Sequence, residues 1–378
     1  MRRYGVVADG SLRIAHAKGE VKARYWNPAD LFDEVHVLVL ADDDIGPEAV
    51  QRVAGRGRLF IHPIGRPRPH NLLRLRRRAL DCLRQVGPDV IRGHGPFLQG
   101  YYATYAARAL GVPCFVSIHD DISIYRRFWT YGHGYARITA YQLALKALGW
   151  ERFVYRHADR LVPKYEAAGR LLRRSPYRTK VQVIYNAVSL ESFADLHPEC
   201  PASGPLRVIS VGRQFAGKDQ RPLVEALAGS DAELTLIGQG PLRGALVETA
   251  ARCGVSSRLR FVDAVPNHEL PAVFAGHHVF AMHILQPGVS MTVMEAMALG
   301  FPIVVNRPRW EERPEISGAC AMVVEGTAAG YREAFAALRR DPGLMQHMGR
   351  LSRQVIEGFS GEQMEAAERD LILSLVQR

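Results

Sequence analysis

Cysteine is scarce in this chain: five in 378 residues, with no two spaced as a CxxC pair. Cys82, Cys114, Cys200, Cys253 and Cys320 lie scattered along the sequence. That argues against a structural zinc site and fits a reducing compartment. No apolar run reaches the roughly 18 residues that a membrane-crossing helix needs. The first ten residues, MRRYGVVADG, carry basic side chains but no apolar segment long enough for a secretory leader. The expectation is a cytoplasmic protein, and a periplasmic binding protein is disfavoured. No GxGxxG follows a strand-like run, which disfavours a dehydrogenase. Helix-turn-helix, zinc-finger and RNA-binding motifs are also missing, so no nucleic acid is expected as a partner.

Acidic residues are short in the first half. Residues 1–195 hold 31 Lys and Arg against 18 Asp and Glu, whereas residues 196–378 hold 18 against 20. The net charge of +11 therefore comes from the first half. Its densest part is Arg66, Arg68, Arg74, Arg76, Arg77 and Arg78. Such an excess calls for an anionic partner: a phosphorylated substrate, phospholipid or nucleic acid. For any single arginine, a solvated helix face is the plainer reading.

What is abundant is alternation. With 47% hydrophobic and 23% charged residues the chain reads as a globular protein of two domains. Apolar runs such as Glu34–Ala41 and Cys114–Ile118 alternate with helical stretches such as Tyr101–Leu110, and the pattern repeats from Arg207 onward. Continuous apolar strands separated by helices mean parallel sheets covered on both faces. The expected division is 1–195, 196–360, and a C-terminal helix over 361–378 that crosses back to the first domain. The Pro-, Ser- and Gly-rich stretch DLHPECPASGPL reads as the hinge.

Residues 286–304, QPGVSMTVMEAMALGFPIV, carry the densest chemistry. A glycine loop (Gly288, Val289, Ser290) enters a helix at Met291 and Thr292, and Glu295 sits one turn inside. Amides at a helix start lack partners and carry partial positive charge, so they can hold a diphosphate. A carboxylate nearby can accept from ribose hydroxyls. Upstream, SVGRQFAGKDQ places Gly212 and Arg213 at a strand end and Lys218 five residues beyond Arg213, two cations suited to the same group.

Taken together, VISVGRQFAGKD, LTLIGQGPLRGAL, the segment from Gly254 to Met282 and PGVSMTVMEAMALGFPIVV resemble the retaining nucleotide-sugar glycosyltransferases of family 4. In the first half, RGHGPFLQGYYATYAARALGVPCFVSIHDD is similar to that family's acceptor domain. The resemblance implies an α/β GT-B fold, two doubly wound Rossmann-like domains facing across a cleft. It implies a hexosyltransferase-type enzyme using a UDP- or GDP-sugar donor and a hydroxyl acceptor, such as a lipid-linked or polysaccharide precursor. Carried over, Arg213 and Lys218 contact the diphosphate, with the amides of Met291 and Thr292 facing it. Glu295 takes the ribose, Val265 the base, and His119 the donor sugar. Gly19 lies near the phosphates, and His94 and Asp120 belong to the acceptor side. The family has a glutamate eight residues before the one matching Glu295, and this chain has Pro287 there, after Gln286. Either Gln286 or a backbone group takes over that contact, or the donor sugar is held differently. A second departure is His283, where the family commonly has proline.

No metal is expected. Asp42–Asp44 and Asp120–Asp121 could each be read as an aspartate pair for magnesium, but Asp42–Asp44 is read as a strand-end turn and the N-cap of a following helix, and the cationic pair offers an alternative to metal. The aromatic and arginine-rich stretch 125–155, with the Arg66–Arg78 cluster, fits an anionic membrane surface or a helix packed on the core. Two other readings remain: a catalytically silent sugar-nucleotide binder, and a basic nucleic-acid-binding protein.

Overall fold

A computed structural model describes residues 1–8, 10–119, 136–188, 198, 203–263, 265, 269–286, 288–308, 313–316 and 320–377. Asp9, Asp120, Asp121, Pro287, Cys200, most of the hinge stretch and the aromatic segment before 136 lie outside the described residues.

Two compact units form: residues 1–185 with 362–378, and residues 186–361. The first contains strands β1 Arg3–Val7, β2 Glu34–Val39, β3 Arg58–Pro63, β4 Val90–His94, β5 Cys114–Ile118 and β6 Arg160–Pro163. They pair in parallel in the order β3-β2-β1-β4-β5-β6. The second contains β7 Leu206–Val211, β8 Ala232–Ile237, β9 Leu259–Val262, β10 Val279–Met282, β11 Ile303–Asn306 and β12 Ala321–Val324. Their order, β12-β11-β10-β7-β8-β9, is the same arrangement again. In each sheet the chain changes direction of growth once, between β1 and β4 and between β7 and β10. Ligands of open parallel sheets bind beyond the carboxyl ends of the strands at that point.

The strands are apolar on both faces because each sheet is covered twice. In the first unit, Val7, Leu38, Ile91 and Val116 pack under the helices Leu72–Val86 and Leu98–Leu110. On the other face, Tyr4, Val35, Val37 and Phe115 share a core with Leu371, Ile372 and Leu375 of the C-terminal helix Gly361–Val376. Fully burying each such Leu or Ile is worth about 1.5–3 kcal/mol, so this helix is held by its apolar stripe. It also carries Glu368, which accepts from Arg92 Nη1 at 2.6 Å and from Lys164 Nζ at 3.4 Å, all three side chains at least 90% buried.

The Asp42–Asp44 turn differs from expectation. Asp44 does not cap the helix that follows, Pro47–Val50, whose N-cap is Gly46. Its carboxylate instead accepts from Ser11 Oγ and from the amides of Leu12 and Arg13 at 2.8–2.9 Å. It therefore caps the earlier helix Leu12–Ala17 across the sheet, and those amides hold its pKa below the usual carboxylate range against the opposing effect of burial. A helix start draws in whichever acceptor the tertiary fold brings, and here that group is some thirty residues away in sequence. Asp44→Ala is expected to cost about 1–2 kcal/mol, read as a lower urea midpoint with an unchanged slope.

Candidate active site

In the second unit, the elements flanking the β7–β10 switch point converge. β7 ends at Val211, and Gly212–Gln214 then pass beneath the Gly238–Gly240 loop that follows β8. A Cβ on Gly238 would sit 2.4 Å from the Gly212 carbonyl oxygen, so only glycine allows this approach. The chain then folds over itself: Lys218 N donates to Phe215 O at 2.8 Å, and Leu285 N donates to Gly217 O at 3.0 Å. That second bond docks the turn carrying Lys218 onto the loop after β10.

The loop after β10 is fixed from below. Asn306 accepts from the Ile284 amide at 2.6 Å and donates to the Ile284 carbonyl at 3.0 Å. The buried guanidinium of Arg313 donates to the carbonyls of Ile284 and Gln286. His283, at the base of this loop, accepts or donates at 3.2 Å with the Tyr331 hydroxyl, and burial lowers its pKa to about 4. Gly288 then turns with φ +82°, a conformation that favours glycine. Ser290 follows as N-cap of the helix Met291–Ala298. The first bonds within that helix run from Val293 and Met294 to the Ser290 carbonyl, so the amides of Met291 and Thr292 precede the ladder.

Lys218 reaches this helix start: its Nζ lies 2.9 Å from Ser290 Oγ, which is 3.0 Å from Thr292 Oγ1. Burial lowers the Lys218 pKa, and the Glu295 carboxylate pulls it back up. Glu295 is itself buried on the helix. Arg213 is exposed, its guanidinium 5.8 Å from the Phe215 ring centre. Val265 is half-buried against the apolar cluster behind β7 and β10, and Val289 packs on the same cluster. The second unit thus brings together Gly212, Lys218, Ser290, Thr292 and Glu295; Arg213 follows Gly212 with its side chain exposed beside Phe215. A helix start with an ammonium, two hydroxyls and a carboxylate beside it can hold a diphosphate and an adjoining diol.

The first unit gathers His94 and His119 at its own switch point. The rings stack with centres 5.3 Å apart, and Trp26 meets His94 edge-on. Burial, reinforced by the Lys164 ammonium and the Arg92 guanidinium, pushes His119 down to about 3, and His94 also lies well below the imidazole range. Both are therefore neutral at physiological pH. Gly19 closes the helix Leu12–Ala17, donating to the His16 carbonyl at 3.0 Å. Asp120, expected on the acceptor side, lies outside the described residues. Sequence reasoning missed Arg92, Lys164 and Glu368; the signal for the first was a charge inside the apolar run VIRGH.

Residues 29–192 match the sequence model of Glycosyltransferase Family 4, and residues 205–341 match that of Glycosyl transferases group 1. In both units the chain thus resembles the family 4 glycosyltransferases. Among its relatives is EpsF of Bacillus subtilis, named as a glycosyltransferase, 29% identical over 66% of this chain and 65% of that protein. Another is the GDP-mannose-dependent alpha-mannosyltransferase of Mycolicibacterium smegmatis, 29% identical over 64% of this chain and 60% of that protein. The alignments thus span slightly under two thirds of these relatives' length. Among solved structures, Anabaena HepE in complex with UDP superposes with a TM-score of 0.74 over 99% of this chain and 100% of that one, at 14% identity. Sucrose-phosphate synthase of Thermosynechococcus elongatus gives 0.72 over 99% of each chain at 15% identity. The fold of this chain is GT-B, with the two Rossmann-like halves expected from its sequence.

Proposed function

We propose that this chain moves a hexose from a UDP- or GDP-sugar to a hydroxyl acceptor with retention at the anomeric carbon. The observation that carries the reading is the half-buried Lys218, its ammonium on Ser290 at the start of the Met291–Ala298 helix, with the buried Glu295 one turn on. As the glycosidic bond breaks, charge builds on the departing diphosphate while the sugar takes on oxocarbenium character. Lys218, Arg213 and the amides of Met291 and Thr292 meet that charge, and Glu295 holds the ribose. The resemblance gives His119 the donor sugar, which as a neutral imidazole it would orient rather than protonate. A phosphate oxygen receives the acceptor proton, so no protein base is required. The reaction runs without metal, the cations taking its place.

The relatives include GDP-mannose-dependent enzymes, and the solved structures include HepE with UDP-glucose; both support a nucleotide-sugar donor. For the acceptor we favour a lipid-linked saccharide at an anionic membrane face. Arg66, Arg68, Arg74, Arg77 and Arg78 are all exposed, and Leu73, which lies among them in sequence, is 60% exposed. Among the described residues no helix is long and apolar enough to cross a membrane.

A thermal-shift titration tests the reading. With EDTA present, a UDP- or GDP-sugar at millimolar concentration is expected to raise the melting midpoint by several degrees. Glu295→Ala should abolish that rise. A wild-type protein that no nucleotide sugar stabilises would exclude the proposal. Stabilisation without donor hydrolysis or transfer would leave the silent-binder reading in its place.

A further inference from the structure

Side chains hold the chain where it leaves β10. The helix Ala328–Arg340 brings Tyr331 to that point, fully buried in the apolar cluster that also takes Ala281 and Val304. Its hydroxyl donates to the Met282 carbonyl at 3.1 Å and lies 3.2 Å from His283 Nδ1. A carbonyl can only accept, and a hydroxyl has one proton. That proton therefore lies toward Met282, and His283 donates through Nδ1 to the phenolic oxygen. Burial pushes the phenol well above the ordinary tyrosine range and the imidazole down to about 4. Both are neutral near pH 7, so the tautomer is fixed.

The neighbours leave this arrangement little play. A Cβ on Gly326 would lie 2.8 Å from His283 Cε1 and 3.4 Å from Asn306 Cβ, so the imidazole is seated against both. One residue on, the Asn306 side chain holds the amide and the carbonyl of Ile284. Leu285 N then donates to Gly217 O, and a Cβ on Gly217 would lie 3.0 Å from Gln286 Cγ. Gly217 directly precedes Lys218. Contacts thus run without a gap from the Tyr331 phenol, through Met282, His283, Ile284 and Leu285, to the backbone that carries the ammonium. All of these residues belong to the second unit.

We propose that Tyr331 is a positioning residue of the transfer, acting through His283 and the Leu285–Gly217 bond to set where the Lys218 ammonium meets the leaving diphosphate. The inference rests on the transferase reading and adds to it a residue that, being fully buried, acts only through these contacts. Misplacing a catalytic group by about 1 Å from a distance can cost on the order of 100-fold in rate.

Donor hydrolysis by the full chain, with UDP-glucose and with GDP-mannose, is the assay. Tyr331→Phe removes the hydroxyl alone. It is expected to lower kcat by about tenfold and to change the donor KM by less than about twofold. In a Lys218→Ala background the same substitution should cost less than about twofold, because the group it positions is gone. A merely structural role would give the same loss in both backgrounds. His283→Asn keeps a donor near the place of Nδ1 and should retain most of the rate, whereas His283→Leu should lose rate as Tyr331→Phe does. This pair decides the matter if Tyr331→Phe fails to fold. Unchanged kcat in Tyr331→Phe overturns the inference, as does a loss equally large without Lys218, or equal rates in the two His283 variants. In each of these cases an active wild type leaves the transferase reading standing. If the wild type hydrolyses neither donor, that reading falls and this inference falls with it.

Discussion

Lys218→Ala is expected to lower kcat/KM for the nucleotide-sugar donor by about 10²–10³-fold, the usual consequence of losing one preorganised charge-stabilising donor. The ammonium is placed by the fold before any ligand arrives. The Phe215–Lys218 turn is docked on the loop after β10 through the Leu285–Gly217 bond, and Nζ rests on Ser290. Little reorganisation is then needed when charge develops on the leaving group. Burial gives the interaction a lower local dielectric than a surface lysine would have. The loss should fall mainly on kcat, because an interaction that strengthens as the bond breaks contributes more to the transition state than to ground-state binding. Lys218→Arg is expected to recover only part of the rate, since a planar fork does not fit the contact a compact ammonium makes with one hydroxyl. Equal kcat for Lys218→Ala and the wild type would place the phosphate elsewhere.

The central strands were legible in the sequence and several edges were not. β2, β5, β8 and β10 sit inside their sheets, almost wholly buried, and read as largely apolar runs. β3, β6 and β12 are edge strands and escaped notice. In β3, RLFIHP, only one residue is fully buried, so the hydrophobic signal is diluted by the side that meets solvent. The second-unit site was readable because Lys218, Ser290 and Glu295 occupy fixed offsets from glycines and a helix start, all local features. The Arg92–Glu368–Lys164 cluster has no such trace, because its members are 276 and 204 positions apart. Only the topology that lays the C-terminal helix over β4 and β6 creates it. Asp44 was misassigned for the same reason: the helix it caps lies behind it in the chain and beside it only in the fold.

That cluster sets the second large effect. Glu368→Ala is expected to destabilise the first unit by about 3–5 kcal/mol, the usual cost of removing one partner from a buried ion pair. The loss comes less from the vanished attraction than from leaving the Arg92 guanidinium, fully buried beside the rings of Tyr25 and Phe115, without its carboxylate. Lys164 responds differently. Burial already lowers its pKa to about 8 and Glu368 opposes that shift, so without the carboxylate it shifts further down and can become neutral. Arg92 cannot escape in this way. Hydrogen exchange is the suitable readout, because it reports the Gly361–Val376 helix and β4 separately from the second unit. Both should lose protection in Glu368→Ala, whereas β7 and β10 should keep theirs. Glu368→Gln retains a carbonyl acceptor for Arg92 and should fall between. The double substitution Arg92→Met with Glu368→Met removes both charges and should be less destabilising than Glu368→Ala alone, since an apolar pair leaves no buried charge unpaired. If Glu368→Ala instead exchanges like the wild type, the C-terminal helix is held by Leu371, Ile372 and Leu375 alone, and the charge cluster plays no part in fastening it.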